Sequence, residues 1–369
     1  MSTPLTRRDF LALAATVPLV GAAAPIAAAA VPTFRSLGRT GLRVSEVGMG
    51  VMLTSDPAHV RAAFDAGVNY FDTARAYMGG RNEETLAEGL KGRRQDAVVA
   101  TKCHVLGRKA LVVATAEQSL KALRTDVIDV FQLHGLSSRD QVLLPDHLEA
   151  VEELRKAGKI RFAGVTTHSN MPQVLSAAVE AKVYDTVLTT FNFQVGEDMV
   201  EAARTAAAAG VGVIAMKVMT GGYSMRPAPG LNPYQSALRW VLQHSFVGTA
   251  IPSMTTYEQV RENTGVMGTQ HTWRDKAALR LYALAVGDRY CRGCGACAGQ
   301  CADGADVPTA LRALMYAEGY GRLDLARETL VGVSLPCGSC AGCSVTCRKG
   351  VEVSERMRRA AQLREVGVG

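Results

Sequence analysis

Aromatic residues are scarce in this chain: phenylalanine, tryptophan and tyrosine make up 6% of 369 residues, with only two tryptophans. No cluster of lysine and arginine carries interleaved aromatics, which excludes a nucleic-acid face built on charge and stacking. Charge of one sign is also in short supply. The net charge is +7, one unit of it from Arg7, Arg8 and Asp9 near the start, and so mild an excess implies no polyanionic partner. No Gly-x-Gly-x-x-Gly follows the first apolar strand, so the open doubly wound sheet lacks its fingerprint. No flavin motif stands out. Cysteine is nearly absent until late: of nine, Cys103 lies alone and eight crowd between Cys291 and Cys347. Apolar content of 48% is ordinary for a globular protein. The length exceeds what one core of roughly 250–300 residues accommodates, so one large domain with a small appendix is expected.

Residues 1–30 read as a leader outside the fold. Thr6-Arg7-Arg8-Asp9-Phe10-Leu11 resembles a twin-arginine export signal, and an Ala/Leu/Val run ends in Ala27-Ala28-Ala29-Ala30, which offers an Ala-x-Ala cleavage site. About 20 apolar residues could instead span a bilayer as an uncleaved anchor. Pro18, Pro25 and the weakly hydrophobic alanines oppose that reading. The expectation is export to the periplasm or cell exterior, with no membrane span left after cleavage.

Residues 31–286 show strict strand and helix alternation. After an opening hairpin over Phe34–Leu42, strands are expected to begin near Val44, Val68, Ala97, Val127, Ile160, Thr186, Val211 and Gly248. Helical patterns cover Ala58–Ala66, Glu83–Leu90, Thr115–Leu123, Leu148–Ala157, Pro172–Ala181, Met199–Ala209 and Tyr234–Gln243. Eight such units predict an α/β fold, a (β/α)8 TIM barrel with parallel strands inside and helices outside. An amphipathic helix, Trp273–Val286, then leaves the barrel.

Residues 287–369 form the appendix. Cys291-x2-Cys294-x2-Cys297-x3-Cys301 is repeated with identical spacing as Cys337-x2-Cys340-x2-Cys343-x3-Cys347. Between them Pro308 opens a helical pattern over Thr309–Leu330. Clustered thiols call for metal or disulfides. Zinc ribbons pair Cys-x2-Cys units and seldom use a third x2 step, and disulfides suit an exported chain.

Chemistry-bearing residues sit where a parallel barrel exposes strand ends. Val68–Phe71 is an apolar run that ends in Asp72-Thr73-Ala74-Arg75-Ala76-Tyr77, with Glu83 close behind; Lys102 ends the next strand and His134 the one after. This resembles the aldo-keto reductases, whose Asp-Thr-Ala-x-x-Tyr signature and whose Asp, Tyr, Lys and His tetrad these four residues match in order. The resemblance implies a hydride exchanged between NADP or NAD and a carbonyl or alcohol, with Tyr77 as acid/base. A neighbouring ammonium favours phenolate, so Lys102 is expected to lower the Tyr77 pKa, Asp72 to hold Lys102 charged, and His134 to orient the carbonyl. The family's Ser-Asn after the fifth strand is replaced by Thr166 and Thr167, its strand-six Gln by Leu188, and its stacking aromatic by Met216. Ser253, Glu262 and Asn263 match the adenosine-binding segment. Ser253 and Gln259 stand where a Lys and an Arg usually clamp a 2′-phosphate, with Arg261 nearby.

The cysteine runs resemble the bacterial ferredoxin pattern, in which the fourth cysteine of each run ligates the other run's cluster. That implies two [4Fe-4S] clusters, one on Cys291, Cys294, Cys297 and Cys347, the other on Cys337, Cys340, Cys343 and Cys301. Ala302 and Arg348 follow the fourth cysteines where Pro is usual. Barrel and runs together are similar to a branch of the aldo-keto reductases that carries a C-terminal two-cluster, mostly helical ferredoxin-type domain and a twin-arginine signal. The implied partners are a small carbonyl or alcohol substrate, with sugars as one class, and an electron-transfer protein. Two alternatives remain open: a nucleotide-binding redox sensor, and a redox-neutral epimerase or lyase with structural clusters. Cys103 follows Lys102 directly, so strand alternation turns it away from the pocket.

Overall fold

The computed structural model describes residues 32–104, 107–222, 230–287, 289–338, 340 and 342–365. The expected leader lies outside the described residues. A hairpin comes first, with β1 (Phe34–Ser36) antiparallel to β2 (Arg43–Ser45). It turns through Gly41 at φ 73°, a left-handed value glycine tolerates without strain.

The barrel strands are β3 (Met49–Gly50), β4 (Tyr70–Asp72), β5 (Val98–Cys103), β6 (Ile128–Leu133), β7 (Ile160–Thr167), β8 (Thr186–Thr190), β9 (Gly212–Met216) and β10 (Val247–Ala250). They pair in sequence order, all parallel. Parallel bridges Val47–Ala250 and Gly50–Ser253 join the first strand to the last, closing the barrel. The helices between are α1 (Pro57–Asp65), α2 (Arg81–Gly89), α3 (Lys109–Leu123), α4 (Arg139–Val142), α5 (Pro145–Lys156), α6 (Met171–Ala181), α7 (Glu197–Ala208), α8 (Pro233–Leu242) and α9 (Tyr257–Thr264).

Strand alternation divides the core in two. Outward-facing Phe71, Val99, Cys103, Phe131 and Val165 pack under the helices. Inward-facing Tyr70, Ala100, Val130, Leu188 and Ile214 fill the barrel, and Leu37, Leu42 and Val44 of the hairpin plug its lower end. One step above this apolar plug the inward positions turn polar: Asp72, Lys102 and Gln132. The sheet register sets that layer, since Asp72 is the partner of Ala100 and Lys102 the partner of Gln132.

Beyond the barrel come α10 (Trp273–Val286), α11 (Val307–Glu318), α12 (Leu323–Leu330) and α13 (Val353–Glu365). Tyr282, Val286, Tyr290, Leu311, Leu314, Met315, Leu330 and Met357 form their shared core. Arg356, 4% exposed, ties α13 to α11 through Glu318 at 2.8 and 3.0 Å. Among the described residues no helix is long and apolar enough to cross a membrane.

Two expectations fail on chain geometry. Val44 belongs to the hairpin, and the first barrel strand is Met49–Gly50, because an alternating pattern serves either kind of strand equally well. The spacer Thr309–Leu330 is two helices. Gly319 sits where a Cβ would lie 2.1 Å from the Gly221 carbonyl oxygen, and Gly321 follows at φ 65°, so the chain turns there.

Candidate active site

Lys102 occupies the centre of the polar layer with all three of its N–H donors engaged. It donates to Asp72 Oδ1, to the Thr73 carbonyl at 2.7 Å and to the Tyr77 hydroxyl at 3.3 Å. Gln132, unmarked in the sequence, donates from Nε2 to the other Asp72 oxygen at 3.1 Å. It lies two residues before His134 on the same strand face, which is the signal that could have found it. Asp72 and Lys102 are 3% and 2% exposed.

The loop that carries Tyr77 is fastened from several sides. Thr73 donates to Asn82 at 2.7 Å, and Asn82 donates to the carbonyls of Val51 and Thr54 at 2.9 and 3.1 Å. Glu83 accepts from Thr101 at 2.6 Å and pairs with Arg75 at 2.5 Å. Directly after Tyr77 the chain makes a tight turn with Met78, Gly79 and Gly80 all at positive φ. The His134 ring stands edge-on to Tyr77, centroids 5.9 Å apart. The tetrad thus converges, with Asp72, Lys102 and Tyr77 in one hydrogen-bonded chain and His134 beside it.

The electrostatics differ from the sequence expectation. Burial pushes the Tyr77 phenol well up, Asp72 adds to that, and the cation that opposes it is Arg312 rather than Lys102. Desolvation disfavours the phenolate more than the ammonium, itself neutralised by Asp72, can favour it. Burial likewise raises Asp72 and lowers Lys102, each pulled back by the other. His134 is held well below its ordinary value by burial and then by Lys102, so its imidazole is neutral. Its Nδ1 is buried without a hydrogen-bond partner among the described residues.

Helix α11 lies over the mouth of the barrel. Pro308, Leu311, Arg312 and Met315 line a cavity of about 20 Å³ with His168, Thr190, Lys217 and Cys291. Lys217 Nζ lies 3.0 Å from His168 Nδ1, and burial with Arg312 brings the Lys217 pKa down to about 7. Met315 covers Gly221, where a Cβ would come within 2.6 Å of its Cγ. Tyr282 donates to the Met219 carbonyl at 2.8 Å, and Asn192 donates to the Tyr290 hydroxyl at 3.0 Å and to the Lys217 carbonyl at 3.0 Å. Helix α10 and the start of the appendix are therefore bonded to the loops that follow β9 and β8. Arg312 and Tyr316, the latter a buried phenol acting electrostatically on Lys102 and Tyr77, went unnoticed in the sequence. The faint signal was a charge at Arg312 within the helical apolar spacing of Leu311, Leu314 and Met315.

The expected nucleotide residues are dispersed. Thr166 points inward and accepts from the Gly135 N–H at 2.8 Å; Thr167 donates to the Ser169 carbonyl at 2.8 Å. Both are buried, while Met216 is half-buried at the top of β9. Ser253 is half-buried beside the Gly50 bridge, Glu262 accepts from Asn232 at 3.1 Å, and Asn263 is buried. Gln259 accepts from the Thr255 N–H and hydroxyl at 2.7 and 3.0 Å, and Arg261 is exposed.

Cys301, Cys337, Cys340 and Cys343 line one cavity of about 170 Å³, together with Ser354, Met357 and Arg358. The other four interact in series: Cys291 with Cys294 and Cys297, and Cys297 with Cys294 and Cys347. Burial pushes the Cys291 thiol up to about 11. Among the described residues no three His, Cys, Asp or Glu side chains converge on a position for a single metal ion. Cys103 is buried in the outer core.

The sequence profile described as the aldo/keto reductase family matches residues 54–226. An oxidoreductase of Bacillus subtilis, YqkF, is 33% identical over 174 residues, 43% of this chain and 56% of that one. L-galactose dehydrogenase of Arabidopsis thaliana is 36% identical over 155 residues, covering 36% of this chain and 47% of its own length. The chain thus spans about half the length of the curated relatives it matches. Among solved structures, aldo-keto reductase AKR11C1 from Bacillus halodurans superposes with a TM-score of 0.59 at 27% identity, over 68% of this chain and 96% of that one.

Proposed function

From the match to the aldo/keto reductase profile over residues 54–226 and the shared barrel, we propose that the chain is a member of that family, an exported oxidoreductase interconverting a carbonyl and an alcohol with Tyr77 as the acid/base. The observation that carries this reading is the single Lys102 ammonium bonded to both Asp72 and the Tyr77 hydroxyl. The hydride at the carbonyl carbon would be supplied or accepted by a nicotinamide dinucleotide, NADP or NAD, when one is bound. In the reducing direction Tyr77 passes its proton to the carbonyl oxygen as negative charge grows there. Lys102, by its hydrogen bond, and the charge of Arg312 together stabilise the phenolate left behind, Asp72 keeps Lys102 charged and in place, and neutral His134 holds the oxygen beside Tyr77. Transfer then needs a solvent proton to reset Tyr77, and oxidation runs the same steps backward.

Thr166, Thr167 and Met216 are the residues to hold the nicotinamide end, and Ser253, Glu262 and Asn263 the adenosine end. Neither Ser253 nor Gln259 offers a cation to a 2′-phosphate, so the choice between NADP and NAD is left to the exposed Arg261. A sugar is one substrate class, by analogy with L-galactose dehydrogenase.

In the appendix, Cys291, Cys294, Cys297 and Cys347 would hold one [4Fe-4S] cluster and Cys301, Cys337, Cys340 and Cys343 the other. Support comes from the repeated spacing and from the common cavity around the second set. Such clusters supply single-electron transfer to a partner protein. The leader, as a twin-arginine signal, suits a protein that must load clusters before export.

The test is an anaerobic titration of the cluster-loaded protein with NADH and NADPH, following visible absorbance, with dithionite as the control for full reduction. Bleaching by either nucleotide is the expected result, and Tyr77→Phe should keep the bleachable clusters yet lose about 10²–10⁴-fold in carbonyl reduction. Unbleached clusters with dithionite still effective would sink the electron-transfer part. A second reading, redox-neutral chemistry on a nucleotide that stays bound, is favoured by α11 over the mouth. Stoichiometric nucleotide in the purified protein would support it.

A further inference from the structure

Among the described residues Arg312 has no counterion. It projects from the face of α11 that carries Pro308, Leu311 and Met315, positions that otherwise bury apolar surface. Its bond among the described residues is a long one, 3.5 Å from Nη2 to Thr309 on the same helix, and no carboxylate there pairs with it. A half-buried guanidinium at an internal seam is costly to keep unless something anionic meets it.

No carboxylate of the described residues around it provides that anion, and the sulfur of Cys291 faces Lys217. Asp72 is taken up by Lys102 and Gln132. Lys217 is already shared between His168 and the side of Cys291. His134 and His168 are both neutral, each held down first by burial. Arg312 nevertheless acts electrostatically on Tyr77, His134, His168 and Lys217 together, which locates it at the reacting end of the pocket. The pyrophosphate of a dinucleotide lies a ribose away from the nicotinamide ring, and so away from that end.

We propose that Arg312 binds the carboxylate of the substrate, so that the barrel acts on a hydroxy or oxo acid and the appendix contributes a specificity residue to the site. The planar fork of arginine meets a carboxylate through two parallel N–H donors, which fixes the orientation of the acid as well as its charge. Lys217 and His168 line the same cavity and complete its polar wall. The inference rests on the carbonyl and alcohol chemistry assigned to Tyr77, and it adds the substrate class.

The experiment is calorimetric binding to the cluster-loaded, nucleotide-saturated protein. The probes are three acids with their neutral counterparts: glycolate with ethylene glycol, D-glycerate with glycerol, and D-glucuronate with D-glucose. At least one acid should bind more tightly than its counterpart. Arg312→Gln should weaken that acid by about 10- to 100-fold and leave the neutral probe unchanged. Arg312→Lys, which keeps the charge and loses the fork, should recover part of the loss. Equal binding of acids and neutral probes overturns the proposal, as does full acid affinity in Arg312→Gln. A loss of NADH or NADPH affinity in place of acid affinity also overturns it, because the anion would then be the cofactor's pyrophosphate. Tyr77→Phe separates the two readings: acid binding that survives there while wild-type protein turns over no acid would sink the assigned chemistry alone.

Discussion

The floor of the barrel and the cysteine loops of the appendix hold reactive groups in opposite ways. Asp72 and Lys102 stand on neighbouring strands, almost wholly buried, with register and hydrogen bonds setting their geometry before any ligand arrives. Between Tyr290 and Val307 the chain makes turns but no helix or strand, and Cys340 and Cys343 are exposed. Helices α11 and α13 adjoin these loops, which are tied to each other at Gln300 by Ser344 and Thr346. A sheet preorganises a site through its backbone, whereas loops of this kind depend on whatever their side chains jointly bind.

The contrast can be broken most severely at Lys102. Lys102→Met leaves Asp72 buried without its counterion, and about 3–5 kcal/mol of stability should be lost in a urea melt. Asp72→Asn in the same chain should restore most of it. A single variant as stable as wild type would mean that the floor is not held by this pair. Removing iron from protein loaded with the proposed clusters addresses the other half. Chelation under reducing conditions should speed proteolytic cleavage within residues 291–306 and 342–352 by about tenfold or more, while the barrel survives as a resistant fragment. Uniform cleavage across the chain would erase the distinction.

The join between the two regions carries a smaller, pH-dependent effect. Asp275 caps α10; burial raises its pKa, but bonds from Ser236, Thr272 and Arg239 outweigh that and hold it down at about 2. A carboxylate depressed in the folded state stabilises fully above its ordinary value near 3.8 and loses that contribution as pH falls through about 2. About 2 kcal/mol should disappear over that window, and Asp275→Asn should flatten the acid limb of a melting profile. The smallest effect belongs to Arg348, whose 3.6 Å pair with Asp198 links the two regions across open surface. Arg348→Ala should change stability by less than about 0.5 kcal/mol. A larger loss in a thermal melt would make that contact part of the docking itself.

Much of this was legible in the linear chain. Apolar runs at regular spacing announced the barrel, and alternation along Val98–Cys103 already separated an inward Lys102 from an outward Cys103. Signals that depend on contacts made far along the chain were not. The first barrel strand is two residues long, too short for a pattern, and a hairpin strand beside it carries the same alternation. The break in Thr309–Leu330 follows from Gly319 meeting Gly221, nearly a hundred positions away. The opposite shift of Tyr77 comes from its burial, which no local sequence encodes.

Residue order alone determined the strand and helix alternation, the strand ends at Asp72, Lys102 and His134, and the identical spacing of the two cysteine runs, because these are short-range properties of pattern and period. Only the tertiary structure decided that α11 lies across the barrel mouth and brings Arg312 within electrostatic reach of Tyr77, that Gln132 secures Asp72, and that Cys301 joins the second run around one cavity. Those outcomes depend on how separate elements pack, and packing is set by shape and charge meeting across space rather than along the chain.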